Sequence, residues 1–131
     1  MKIRSGFVSN SSSSSFIISL EKPIEDYSYE EFREICGITK YYEDKNCKDG
    51  FGETMNFTYG KCVSVLFDDL KSKGAKEMSN WFQNYYKVEN LKPTEYIVSY
   101  GSEDADWQFG NYMEWDFIPD LQMTVKTINM H

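Results

Sequence analysis

Histidine is almost missing from this chain of 131 residues; the only one is His131. Imidazole is the side chain that titrates near neutral pH. A Cys-His or Ser-His catalytic pair would therefore have to be built on the last residue, where chains fray. Cysteine is also scarce. Cys36, Cys47 and Cys62 are odd in number and widely spaced. A small secreted scaffold uses a denser, even set, and a zinc site wants a C-x-x-C pair. The three are read as reduced thiols of a cytosolic protein. The chain lacks G-x-S-x-G, the phosphate loop and G-x-G-x-x-G. Asp49-Gly50-Phe51-Gly52 is short and has no following lysine to hold a phosphate. No window approaches the ~20 apolar residues of a membrane-spanning helix. Lys2 and Arg4 precede apolar residues as in a secretion signal, but Asn10 to Ser15 break the apolar stretch that such a signal needs. These absences predict no metal, no cofactor, no catalytic residue and no membrane association.

Basic residues are in deficit too. Net charge is −7, which speaks against direct nucleic-acid binding, since phosphate contacts draw on Lys and Arg. The imbalance is local. Residues 1–20 hold Lys2 and Arg4 and no acid, whereas residues 101–120 hold Glu103, Asp104, Asp106, Glu114, Asp116 and Asp120 and no base.

What the chain does have is aromatic mass: ten Tyr, nine Phe and three Trp. Disordered chains lack such residues. A chain of this length buries roughly two thirds of its unfolded surface, enough for a core without staples. One domain is expected.

Local patterns sketch its elements. Phe16-Ile17-Ile18 is apolar on both faces, which predicts a central strand. In DYSYEEFREICGI, Ser28 and Glu31 form a capping box, Tyr27 and Phe32 a hydrophobic staple, and Gly37 a left-handed stop. A strand–turn–strand pair is expected between Thr39 and Tyr59, with Thr54–Tyr59 as its second strand. Cys62, Val65, Leu66 and Leu70 recur at helical spacing, with Gly74 as the stop. Met78, Trp81, Phe82, Tyr85 and Tyr86 mark another helix, its aromatic stripe read as core or as a partner surface. Glu95–Tyr100 reads as a strand, Gly101–Asp104 as a turn, Trp107–Phe109 as a return strand, and Leu121–Ile128 as a terminal strand. The expected class is α+β, a mostly antiparallel sheet of four or five strands with about three helices.

The head of the chain stands apart. Ser11 to Ser15 lie between Gly6-Phe7-Val8 and Phe16-Ile17-Ile18. The run is open to three readings: a flexible linker, an arm docked through Phe7 and Val8, or a modification or processing site. The boundary is placed between an arm, 1–15, and a domain, 16–131. Arg4, Gly6, Phe7, Val8 and Asn10, followed by the serines and Phe16, resemble the R-x-GFVSNSSSSSF head of small bacteriophage and bacterial proteins of uncharacterised activity. Some of those also resemble this chain in an acidic, aromatic tail ending in histidine, as Tyr100 to His131 does here. The resemblance covers about a tenth of the chain. It implies a portable address, processing element or assembly tag in a phage or prophage setting, and transfers no catalytic residue.

In the body, GSEDADWQFGNYMEWDFIPD is the strongest functional candidate. A calcium loop begun at Asp104 would place Trp115 where the closing glutamate belongs, so that rule fails. Read as a strand, Glu114 and Asp116 alternate with Met113, Trp115 and Phe117, acid on one face and apolar groups on the other. That describes a solvated face over core, or an acidic-aromatic surface for a basic groove. The expected partner surface is Glu103, Asp104, Asp106, Trp107, Glu114, Trp115 and Asp116. The function expected is that of a non-enzymatic interaction protein in the cytoplasm of a bacterial host, binding a host or phage protein. The alternatives are a small carboxylate-based enzyme or small-molecule binder, signalled by a deep pocket holding Asp104, Asp106 or Glu114 beside Trp107, or a virion or assembly component.

Overall fold

The computed structural model describes residues 14–48, 51–72, 92–101, 107–121 and 124–128. Its first strand, β1 (Ser14–Ser19), is hydrogen-bonded on both edges. On one side runs β4 (Glu95–Tyr100), on the other β5 (Thr124–Ile128), both antiparallel to it. Phe16 faces Val98 and Thr127 across the two ladders, and Ile18 faces Tyr96 and Val125. The expected central strand is therefore present, with Phe16, Ile17 and Ile18 all buried. Strands covered on both faces read as unbroken apolar runs, which is why this one lacks alternation. The strand starts before the expected boundary. Ser14 and Ser15 pair with Tyr100 and Ser99, and the Ser15 and Ser99 hydroxyls bond each other. The last two serines of the run thus belong to the sheet. Arg4, Gly6, Phe7, Val8 and Asn10 lie outside the described residues.

After a 3-10 turn (Ile24–Asp26) comes helix α1 (Tyr29–Ile35), formed as its local signals require. The Glu31 amide donates to Ser28 Oγ (3.1 Å), and the Ser28 amide donates to Glu31 Oε1 (3.0 Å). The Tyr27 and Phe32 rings meet edge to face at 6.4 Å. Gly37 takes φ +83°, letting the Ile38 amide turn back to the Arg33 carbonyl. Any residue with a Cβ is strained at that φ.

The expected pair between Thr39 and Tyr59 is half right. Its first part is a helical turn, α2 (Lys40–Glu43); β2 (Asn46–Lys48) and β3 (Thr54–Thr58) follow as a small second sheet. Thr39 supplies a helix-entry residue that a strand reading overlooks. Helix α3 (Tyr59–Lys71) starts under Thr58, whose side chain accepts from the Lys61 amide. It buries Cys62, Val63, Leu66, Phe67 and Leu70. It ends at Lys71, with Ser72 as its cap, ahead of Gly74. Gly74 and the aromatic helix expected over residues 75–88 lie outside the described residues, as does the turn beyond Gly101.

The largest correction concerns Trp107–Phe109. They form no return strand; they begin helix α4 (Trp107–Tyr112), which widens into a π turn at Met113–Phe117. Three residues fit either period, but Phe109, Tyr112 and Met113 continue at helical spacing and bury one side. The terminal strand β5 is present within its expected span, from Thr124.

The result is a single α+β domain of five described strands in two antiparallel sheets. The core lies between the three-stranded sheet and helices α1, α3 and α4. Phe32 stacks on Phe67 at 5.2 Å, and the buried Tyr96 hydroxyl accepts the Ile24 amide (3.0 Å), pinning the turn before α1 to β4. Phe32→Ala should cost about 3–5 kcal/mol through cavity formation. Ser28→Ala should cost about 1 kcal/mol through loss of the cap. Urea unfolding followed by circular dichroism checks both; equal costs would show that Phe32 is not the packing centre.

Candidate functional site

Two features collect side chains with chemistry. The first is a polar seam where α1, α2 and α3 converge. Arg33, buried on α1, reaches Glu43 at the end of α2, with Nη1 and Oε1 3.3 Å apart. Tyr29 donates its hydroxyl to the Gly60 carbonyl at the start of α3. Burial, reinforced by the hydrogen bond and negative charge of Glu43, raises the Tyr29 hydroxyl well above the usual phenol range. A Cβ at Gly60 would stand 2.6 Å from Glu43 Cγ and 2.9 Å from its carbonyl oxygen. The backbone, as well as the flexible side chain, blocks it. The seam is thus a tight structural joint.

The second feature is a cleft of about 290 Å³ below the π turn. Ile38, Phe117 and Leu121 give it apolar walls. Its polar groups come from separate elements: Lys48 from β2, Tyr59 from α3, Tyr112 and Asp116 from the α4–π segment, and Asp120 from the turn after it. Cys36, just past α1, completes the lining. Burial pushes the Cys36 thiol up to about 12. Burial first, then the neighbouring Cys47, raises the Tyr112 hydroxyl above the phenol range. Both groups therefore keep their protons at neutral pH. Lys48 and two aspartates among apolar walls are the kind of lining that can orient a polar group.

The structure describes part of the expected partner surface and corrects the face of one residue in it. Glu103, Asp104 and Asp106 lie outside the described residues, and Trp107 opens α4. Glu114 is not on an acidic face: it is 2% exposed. Trp115 beside it is 61% exposed, and Asp116 is half-buried in the cleft wall. Alternation fails because the backbone is helical here, so residues two apart no longer share a face. Asp120, Lys48, Tyr59 and Tyr112 were missed. Only the helical spacing of Tyr112 and Asp116 signalled that those two share a face.

Among the described residues, no three His, Cys, Asp or Glu side chains gather as for a metal ion. No described helix is long and apolar enough to cross a membrane. Compared with family models, curated proteins and solved structures, the chain matches none.

Removing one partner from a buried ion pair leaves the other charge stranded. Glu43→Ala should therefore destabilise by about 2–3 kcal/mol, less than for a fully buried pair because Glu43 is partly exposed. A double cycle with Arg33→Met, read by urea unfolding, isolates that coupling, and additive effects would exclude it.

Stability should also fall at alkaline pH. Cys36, Tyr29, Tyr96 and Tyr112 all bind their protons more tightly folded than unfolded. Their contribution is complete below the unfolded thiol value of 9.0 and is lost as pH rises toward the folded values. Thermal melts between pH 8 and 11 should show a steady decline starting near 9. A flat profile across that range would contradict the assignment.

Proposed function

We propose that the protein is a non-enzymatic interaction module whose C-terminal acidic-aromatic turn engages a protein partner through a basic side chain. The observation that carries this reading is Trp115. A large aromatic ring standing 61% exposed on a turn otherwise packed into the core is an unusual use of apolar surface. On the same segment, Asp116 and Asp120 line the adjoining cleft. An exposed aromatic anchor beside carboxylates is the composition of an interface centre. The group fitting the cleft is a lysine or arginine side chain, its stem against Ile38 and Phe117 and its head competing with Lys48 for the two aspartates. The partner is a host or phage protein, and the phage setting rests on the resemblance of the head. The bacterial cytoplasm is the compartment consistent with three thiols held free.

A small-molecule role has one observation in its favour, the cleft itself, whose volume lies at the lower end for ligand pockets. Glu114, one acid expected to mark such a pocket, is not among its lining residues.

Quantitative affinity capture from host lysate separates the possibilities. A specific partner should be retained when residues 1–13 are removed, since β1 starts at Ser14. It should fall at least tenfold for Trp115→Ala and for Asp116→Asn with Asp120→Asn, and weaken as salt rises. Trp115 is exposed, so the first variant should fold within about 0.5 kcal/mol of the parent. A partner lost only with the head, or insensitive to both substitutions, would reject this surface.

A further inference from the structure

Cys47 and Cys62 are both completely buried, and their sulfurs lie 3.9 Å apart. One sits in the middle of β2, the other in the first turns of α3. From a third element, α4, Tyr112 stands beside Cys47. Tyr112 also walls the cleft, so a space of about 290 Å³ lies one side chain from that sulfur. A water molecule takes about 30 Å³ of liquid volume, and a peroxide is little larger. The ladder between β2 and β3 shifts register between Asn46 and Lys48, so it is irregular at Cys47. We propose that Cys47 and Cys62 are a redox site, in which hydrogen peroxide oxidises Cys47 and Cys62 closes a reversible disulfide joining β2 to α3.

The hydrogen bond between them assigns the roles. The bond from Cys62, with Tyr112 alongside, holds the Cys47 thiol below the ordinary range. That same bond, with burial, pushes Cys62 up. Of the two, Cys47 gives up its proton the more readily, and the thiolate form is the nucleophile. In the first step Cys47 sulfur attacks one peroxide oxygen. A sulfur–oxygen bond forms, the oxygen–oxygen bond breaks, and the departing hydroxide takes a proton and leaves as water. Cys47 is then a sulfenic acid. In the second step Cys62 sulfur attacks Cys47 sulfur. The sulfur–sulfur bond forms, the sulfur–oxygen bond breaks, and the sulfenic oxygen takes the Cys62 proton and leaves as a second water. Two thiols and one peroxide become one disulfide and two waters, with two electrons passing from protein to oxidant. Closing the bond brings the sulfurs from 3.9 Å to about 2.05 Å. Cys36 lines the cleft directly, but burial alone acts on it and keeps it protonated. Selectivity for the buried pair over the cleft cysteine is the distinctive consequence.

Peptide mapping of the folded, full-length chain after graded hydrogen peroxide tests this. Trypsin should yield residues 46–48 linked to 62–71, two hydrogens lighter than the separate peptides, with the link removed by dithiothreitol. Cys36 should remain open to alkylation after unfolding. Cys62→Ser should halt the reaction at a Cys47 sulfenic acid captured by dimedone, and Tyr112→Phe should slow Cys47 oxidation about tenfold by removing a hydroxyl that favours the thiolate. Should a variant fail to fold, the map of the parent chain decides alone. Cys36 oxidising first, Cys62 oxidising ahead of Cys47, or both thiols surviving peroxide that already oxidises the protein's methionines would each overturn the proposal.

Discussion

Strand β1 is the constraint on which the rest hangs. It is laid down near the start of the chain and paired on both edges by strands from the last third. Neither β4 nor β5 touches the other; each reaches the sheet only through β1. Such pairings close long loops, whose entropy must be overcome before any ladder bond forms. Phe16 and Ile18 offset that cost by packing into the same core as Phe32, Leu66 and Tyr96. Ile17 and Ile97 bury the opposite face, so the strand is anchored from both sides.

The helical side of the molecule is organised by close approach. Gly60 lets α3 begin against the end of α2, and the same spot gathers Glu43, Arg33 and the Tyr29 hydroxyl. Moving these elements apart would strand the Arg33 charge, whose Nε is already buried without a hydrogen-bond partner.

The last third carries residues of both proposed sites. Its π turn carries Met113 and Phe117 into the core, turns Trp115 outward and sets Asp116 into the cleft wall. The added backbone residue of a π turn shifts the side chains that follow it, and such turns cluster at functional positions. Tyr112, one residue earlier, lines the cleft and stands beside Cys47. The proposed partner surface and the proposed redox site therefore share a wall, so closing the disulfide would act on the side chain that lines the cleft.

Sequence alone determined what depends on short range. The Ser28–Glu31 box, the Gly37 stop, the apolar run of β1 and the β4 strand were legible because each is encoded within a few neighbouring residues. The acidic stretch was legible as composition but not as geometry. Met113 to Phe117 alternate as a strand would, and only packing of Phe109, Tyr112 and Met113 against the core makes that backbone helical, burying Glu114 and exposing Trp115. Cys47 and Cys62 carry no spacing signal, because one lies on a strand and the other on a helix, fifteen residues apart. The cleft draws on five separate elements. Such meetings are decided by tertiary contacts between distant segments, and no local period records them.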